Sequence, residues 1–239
     1  MDRIDILGVG FDAITKEEAL ARCLAIAARD KGYVATPNPE IIWRCRQDDA
    51  ASEAVNGATL VVADGIGVIY GAKILGKPIE NRIPGIDLAS AVMESMAKNG
   101  MTLFLLGAKP GIAEKAAENL TKEYKGLKIV GTHDGYFKDD APVIDQINKV
   151  KPDVIFVCLG SPRQEQWARE NLPKLDAHLC MCLGGSLDVF SGNVERAPKV
   201  FQTLGLEWLY RLLKEPSRIG RMMVLPKFLL LAIKERIVK

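Results

Sequence analysis

The chain has 239 residues, 48% apolar and 26% charged: one large domain, or one domain with an appendage, with the composition of an ordinary soluble globular protein. A net charge of +2 gives no global pull toward nucleic acid. No apolar run approaches the ~20 residues of a bilayer span, and the acidic start "MDRIDILGVGFD" lacks the apolar centre of a secretory signal.

In chain order, short apolar runs alternate with helical patterns. Strands are predicted at 4–7, 32–36, 60–63, 102–106, 128–132, 154–159 and 178–183. Helices are predicted at 15–29, 39–48, 66–75, 85–99, 111–124, 141–150, 162–171 and 198–204. Thr15 followed by Lys16-Glu17-Glu18 is close to a capping box and marks the first helix start. The alternation predicts βαβ units, hence an α/β, Rossmann-like fold with a mostly parallel sheet flanked by helices. From about Gly205 the chain turns helical, basic and Trp- and Met-bearing, with breaks expected at Pro216 and Pro226. It divides on this reading into a core, 1–204, and a C-terminal appendage, 205–239. Residues 203–239 hold eight Lys or Arg against three Glu, so the tail is expected to meet an anionic partner.

The five cysteines are odd in number, and Cys158, Cys180 and Cys182 lie in strand-like runs. They read as reduced core residues of a cytosolic protein. Cys180-x-Cys182 has no partner pair at zinc spacing.

Ligands of parallel sheets bind beyond the carboxyl ends of the strands. Those ends read "ATPNPE", "ADGIG", "LLGAKPG", "GTHDGYF", "CLGSPRQEQW" and "CLGGSLDVFSG". Glycine-bearing turns that open helices present backbone N–H groups to anions, which favours a phosphorylated ligand. The "DGIGVIYG" stretch raises the question of a dehydrogenase. Its spacing, Gly65-x-Gly67-x-x-x-Gly71, places Tyr70 where the third glycine of a dinucleotide fingerprint belongs, and Asp64 precedes the glycines. Glu80 and Asp87 follow a Lys-Pro turn rather than ending a strand, so that reading fails. No Gly-Lys-Ser/Thr follows a glycine loop, and no Gly-x-Ser-x-Gly elbow accompanies Ser186 and the two histidines, His133 and His178.

Six blocks together resemble those of the bacterial WecG/TagA/CpsF glycosyltransferase family: "ATPNPEII", "VVADGIGV" with "RIPGIDL", "LLGAKPGIAEKAAENL", "GTHDGYF", "GSPRQEQW" and "GGSLDVFSGNVERAP". Their order and spacing match from about residue 4 to residue 214. The tail "GLEWLYRLLKEPSRIGRMMVLPKF" is similar to that of the family's N-acetylmannosaminyltransferase branch, which serves wall teichoic acid synthesis. The resemblance implies inverting, metal-independent sugar transfer from a UDP donor, UDP-N-acetylmannosamine first, to an undecaprenyl-diphosphate-linked acceptor. It implies no cofactor. The enzyme would sit in the cytoplasm on the inner face of the membrane, with an anionic membrane surface as partner and a homo-oligomer possible. Another donor, such as UDP-glucose or the mannosaminuronate, is the family alternative; a non-catalytic UDP-sugar-binding module is the alternative outside it.

Sugar transfer needs a base for the acceptor hydroxyl, stabilisation of the departing diphosphate and a sugar pocket. The sequence has no Asp-x-Asp pair to hold a cation, so the leaving-group charge is expected to fall on amides and arginines. Asp64 is the expected base, with helix capping the competing role. Arg82 is a candidate for the diphosphate or a carboxylate partner. By resemblance Thr36 and Asn38 line the sugar pocket, against an Asx-type turn, and Gln164 is matched to a site residue. Tyr136 is a candidate for stacking on uracil, and Gly184, Gly185 and Asp188 for meeting uracil or ribose, with Asp188 also a potential cap. Trp167 reads as core and His133 as a turn residue. In the tail, Leu206, Leu209, Tyr210 and Leu213 form a stripe beside Arg211 and Lys214; Arg211, Arg218 and Arg221 are candidates for the acceptor diphosphate and the membrane. Packing on the core is the tail's ordinary alternative, with Met222 and Met223 as filler.

Overall fold

A computed structural model describes residues 3–238, the side chains of Arg218 and Arg221 excepted. Eight strands and thirteen α-helices follow in chain order: β1 (Ile4–Ile6), β2 (Val9–Phe11), α1 (Lys16–Arg29), β3 (Gly32–Ala35), α2 (Pro39–Cys45), α3 (Asp49–Asn56), β4 (Leu60–Val61), α4 (Ile66–Ile74) and α5 (Gly85–Asn99) come first. Then come β5 (Thr102–Gly107), α6 (Ile112–Glu123), β6 (Lys128–His133), α7 (Ala141–Val150), β7 (Val154–Cys158), α8 (Arg163–Asn171), β8 (Leu179–Cys182) and α9 (Ser186–Phe190). The chain ends in α10 (Lys199–Thr203), α11 (Glu207–Lys214), α12 (Ile219–Met222) and α13 (Val224–Val238).

Six strands form one parallel sheet in the order β4-β3-β8-β7-β5-β6. Their apolar runs follow from burial on both faces. In β5, Leu103 and Leu105 point to the face covered by α1, α5 and α6, while Phe104 and Leu106 point to the face covered by α2, α3, α4, α7 and α8. Register is set by pairs such as Val34 with Met181 and Val157 with Cys182. The capping box closes at α1: the Glu18 N–H donates to Thr15 Oγ1 at 3.2 Å and the Thr15 N–H to Glu18 Oε2 at 2.8 Å.

Two expectations need correction, and one strand lies apart. The strand expected at 4–7 is present as Ile4–Ile6 but outside the main sheet. It pairs antiparallel with Val9–Phe11 across a Leu7-Gly8 turn with both residues at positive φ. The helix expected over 39–48 stops at Cys45, because Asp48 caps a separate helix, α3, by accepting the Ala51 N–H at 3.1 Å. Pro226 does not break the tail helix; it sits in the first turn of α13, where a missing N–H removes no intrahelical bond.

All five cysteines are buried thiols, and burial pushes Cys23, Cys45, Cys158 and Cys180 up to about 12. They are core residues without nucleophilic character.

The last helix belongs to the core. Phe228 and Ala232 of α13 are fully buried against α2 and α4. The α4 surface receives them because Gly67 and Gly71 carry no side chain: a Cβ on Gly67 would lie 2.5 Å from Leu225 Cδ1, and one on Gly71 2.6 Å from Phe228 Cε1. Outward, Leu213, Ile219, Met223, Leu230 and Ile237 are exposed, so Met223 is not filler. Among the described residues no helix is long and apolar enough to cross a membrane.

Candidate active site

A cleft of about 830 Å³ opens beyond the carboxyl ends of β4, β3, β8 and β7 and is roofed by the tail. Its wall includes Thr36, Asn38, Asp64, Arg82, Gln164, Gly184 and Gly185, with Glu207, Trp208, Arg211, Met222 and Leu225 from the tail. Eight of the expected site residues are thus brought together by strands and helices distant in sequence.

Asp64 lies just after β4. Its N–H donates to Pro37 O at 3.2 Å, and the Ile83 N–H donates to Ala63 O at 2.9 Å, which fixes the segment from both sides. Gly65, at φ +94°, turns the chain into α4 and stands at its cap without a side-chain bond. Asp64 therefore does not cap α4; its carboxylate instead meets the N–H of Gly85, the first residue of α5. Burial pushes the carboxyl up to about 6; the Gly85 N–H opposes this, the Glu207 carboxylate adds to it, and Arg211 and Arg82 oppose it. A carboxylate that titrates near neutrality, open to a cleft, has the properties of a general base.

Arg82 is 19% exposed and already partnered: Nη2 donates to Gln202 O at 2.8 Å, and Nη1 lies 3.8 Å from Glu207 Oε1. Glu207 also faces Arg196, Oε2 to Nε at 3.6 Å, and Arg196 Nη1 lies 2.6 Å from Asp87 Oδ1. The array Arg82–Glu207–Arg196–Asp87 ties the tail to the start of α5.

Thr36 is buried, its hydroxyl donating to Cys182 O at 3.2 Å, and its side chain fits against Gly85, where a Cβ would come within 3.0 Å of Oγ1. Asn38 caps α2, its Oδ1 accepting the Ile41 N–H at 3.0 Å, while still lining the cleft. Gln164 is 2% exposed; its Oε1 accepts the Gly184 N–H at 2.8 Å and its Nε2 donates to Glu165 Oε1 at 2.8 Å. The Gly184 amide is thereby committed to protein rather than open to an anion.

Two expected residues stand apart from the cleft wall. Tyr136, 68% exposed, follows β6, its N–H donating to Asp134 Oδ1. Asp188 lies within α9, whose cap is Gly185; Asp188 Oδ1 accepts from Asn193 Nδ2 at 3.4 Å. Arg211 lines the cleft, whereas the side chains of Arg218 and Arg221 lie outside the described residues. Trp167 is core. His133 bonds through Nδ1 with Asp134 O and stacks edge-on against Phe137.

Glu207, Arg196 and Glu165 were not visible as site residues in the sequence. Glu207 meets Arg82 from 125 positions away, and no local spacing encodes such a pairing. Among the described residues no group of three or more His, Cys, Asp or Glu is placed to hold a metal ion.

A family model described as the Glycosyl transferase WecG/TagA/CpsF family matches residues 4–239. An N-acetylglucosaminyldiphosphoundecaprenol N-acetyl-beta-D-mannosaminyltransferase of Bacillus spizizenii is 37% identical over 207 residues, 86% of this chain and 80% of that protein. A Staphylococcus aureus protein of the same name is 36% identical over 230 residues, 95% of this chain and 91% of that protein.

Proposed function

Because the chain belongs to the WecG/TagA/CpsF glycosyltransferase family, we propose that it moves N-acetylmannosamine from UDP-N-acetylmannosamine to N-acetylglucosaminyl-diphospho-undecaprenol. The observation that carries this reading is the cleft itself. It sets a carboxyl titrating near 6, Asp64, among Arg82 and Arg211 at the carboxyl edge of a parallel sheet.

In the proposed single displacement, Asp64 takes the proton of the acceptor sugar hydroxyl as that oxygen bonds to the anomeric carbon of the donor. The bond from that carbon to the phosphate oxygen breaks on the opposite face, and UDP departs with its electron pair. A beta product, as in the relatives' names, is the inverted outcome from an α-linked donor. Charge on the departing diphosphate falls to Arg82 and Arg211, and Arg82 must first exchange Glu207 for phosphate oxygens. Thr36, Asn38 and Gln164 shape the sugar pocket; Tyr136, Gly185 and Asp188 remain assigned to the nucleoside. The basic tail, with exposed Leu213, Ile219 and Met223, is assigned to the lipid diphosphate and an anionic membrane surface, Arg218 and Arg221 included.

The test is a donor screen with a short-chain lipid-diphosphate acceptor, reading UDP release and product mass. Release of UDP with a product heavier by one N-acetylhexosamine is expected. Binding of UDP-sugar without turnover would make the chain a binding module instead.

A further inference from the structure

Glu165 is 1% exposed, and one of its carboxyl oxygens, Oε2, has no hydrogen-bond partner. Burial pushes this carboxyl up from its ordinary range, with the Gln164 amide, its own backbone N–H and the Ser161 hydroxyl pulling it down. Burial raises Tyr33, Cys45 and Cys182, and the nearby Glu165 carboxylate adds to each. A leucine or methionine would fill the space without the desolvation cost of a carboxyl. What the carboxyl does that they cannot includes accepting a hydrogen bond from Gln164 Nε2 at 2.8 Å.

That bond sits at one end of a chain of contacts leading into the cleft. A glutamine amide has an oxygen end and a nitrogen end of nearly equal shape. An acceptor at Glu165 and a donor at Gly184 together admit one orientation, with the oxygen toward Gly184. Gly184 holds the left-handed conformation at φ +57°, and with Gly185 it forms the cleft floor after β8. The Gln164 backbone carbonyl is bound as well, accepting the Cys182 thiol at 3.5 Å. The turn is thus tethered to the first turn of α8 through one side chain, and that side chain is held from behind.

We infer that Glu165 is a positioning residue: through Gln164 it fixes the Gly184–Gly185 turn and so sets the shape of the substrate floor. The inference rests on the transferase reading of the cleft, and its test has an arm that does not depend on turnover.

In the first arm, backbone amide exchange is followed in the full-length protein and in Glu165→Leu. The Gly184 amide should be protected in the wild type and lose protection at least about tenfold in the variant, while the β8 amides of Leu179–Cys182 keep theirs. Rapid Gly184 exchange in the wild type, or uniform loss across β8 in the variant, would overturn the tether. If Glu165→Leu does not fold, Glu165→Met takes its place, and the wild-type measurement stands without either.

In the second arm, transfer kinetics are read as a double-mutant cycle. Glu165→Leu should lower kcat/KM about tenfold, chiefly through KM, and Glu165→Gln, which keeps an acceptor oxygen, should restore most of it. In a Gln164→Ala background the same Glu165→Leu change should add less than about twofold, because the intermediary is gone. Equal effects in both backgrounds would mean that Glu165 acts otherwise than through Gln164. Absence of transfer in the wild type would strike the functional reading and leave the exchange result to decide the tether.

Discussion

Arg82 of the core and Glu207 of the tail are joined across the cleft, Nη1 to Oε1 at 3.8 Å, by a carboxylate that also faces Arg196. A phosphorylated substrate that claims Arg82 must displace this carboxylate, so substrate entry and tail position are linked. The same carboxylate adds to the raised titration of Asp64.

Glu207→Gln should therefore move the acidic limb of the pH–rate profile to lower pH. Removing the carboxylate takes away a like charge while burial, the Gly85 N–H, Arg211 and Arg82 still act on Asp64. A profile of kcat/KM from pH 5 to 8 checks this, and a limb that stays in place or moves upward would refute the coupling.

Asp64→Asn should slow transfer by about 10²–10⁴ with donor binding nearly intact. It should also stabilise the protein, with a definite pH dependence. Folded Asp64 titrates at about 6 against 3.8 for an ordinary aspartate, so the folded state holds the proton more tightly. The stabilising preference for the protonated form is present below about pH 4 and lost as pH rises through about 6. The asparagine variant should gain on the order of 1 kcal/mol at pH 7.5, water in the cleft screening part of the effect, and nothing at pH 4. Urea titrations at both pH values read it. A variant with full turnover would remove Asp64 from the chemistry.

Transfer should survive chelation. The sequence has no Asp-x-Asp pair, and Arg82 and Arg211 line the cleft. Loss of activity in EDTA, restored by Mg²⁺ or Mn²⁺, would contradict this.

Phe228→Ala should destabilise the whole chain by about 3–5 kcal/mol, read by thermal or urea unfolding, because the ring is fully buried on the Gly71 surface of α4. For the same reason, deletion after about Thr203 strips a wall from the core as well as a binding element. Point changes separate the roles better. Arg218→Ala or Arg221→Ala should reduce transfer to the lipid acceptor more than binding to anionic vesicles, and equal losses in both assays would assign those residues to the membrane alone.

Much of this architecture is legible in the sequence because parallel strands buried on both faces must be apolar runs, and the turns after them must hold the ligand. The hairpin was hidden by Leu7, an unusual residue for positive φ, which masks the turn that Gly8 completes. Helix α3 was hidden because Asp48 reads equally well as the end of one helix or the cap of the next. Asp64 and Gln164 were legible in the strand-end stretches, and Arg82 in the "RIPGIDL" block of the family resemblance. Glu207, Arg196 and Glu165 were not, since their significance comes from partners that only the folded chain supplies. The tail's basic, apolar composition was legible; its burial of Phe228 depends on Gly71, 157 positions earlier.

Those glycines also settle what the spacing that imitates a dinucleotide fingerprint is for. Gly65 makes the turn after Asp64, while Gly67 and Gly71, one helical turn apart, are a seat for Leu225 and Phe228. The size of the residue at 71 and the presence of a tail should then be inherited together. Relatives that end before an equivalent of α13 have no such steric need for glycine at position 71, whereas at 67 Pro39 of α2 still stands in the way, so a side chain at 71 would mark, from sequence alone, a chain whose cleft is closed by something else.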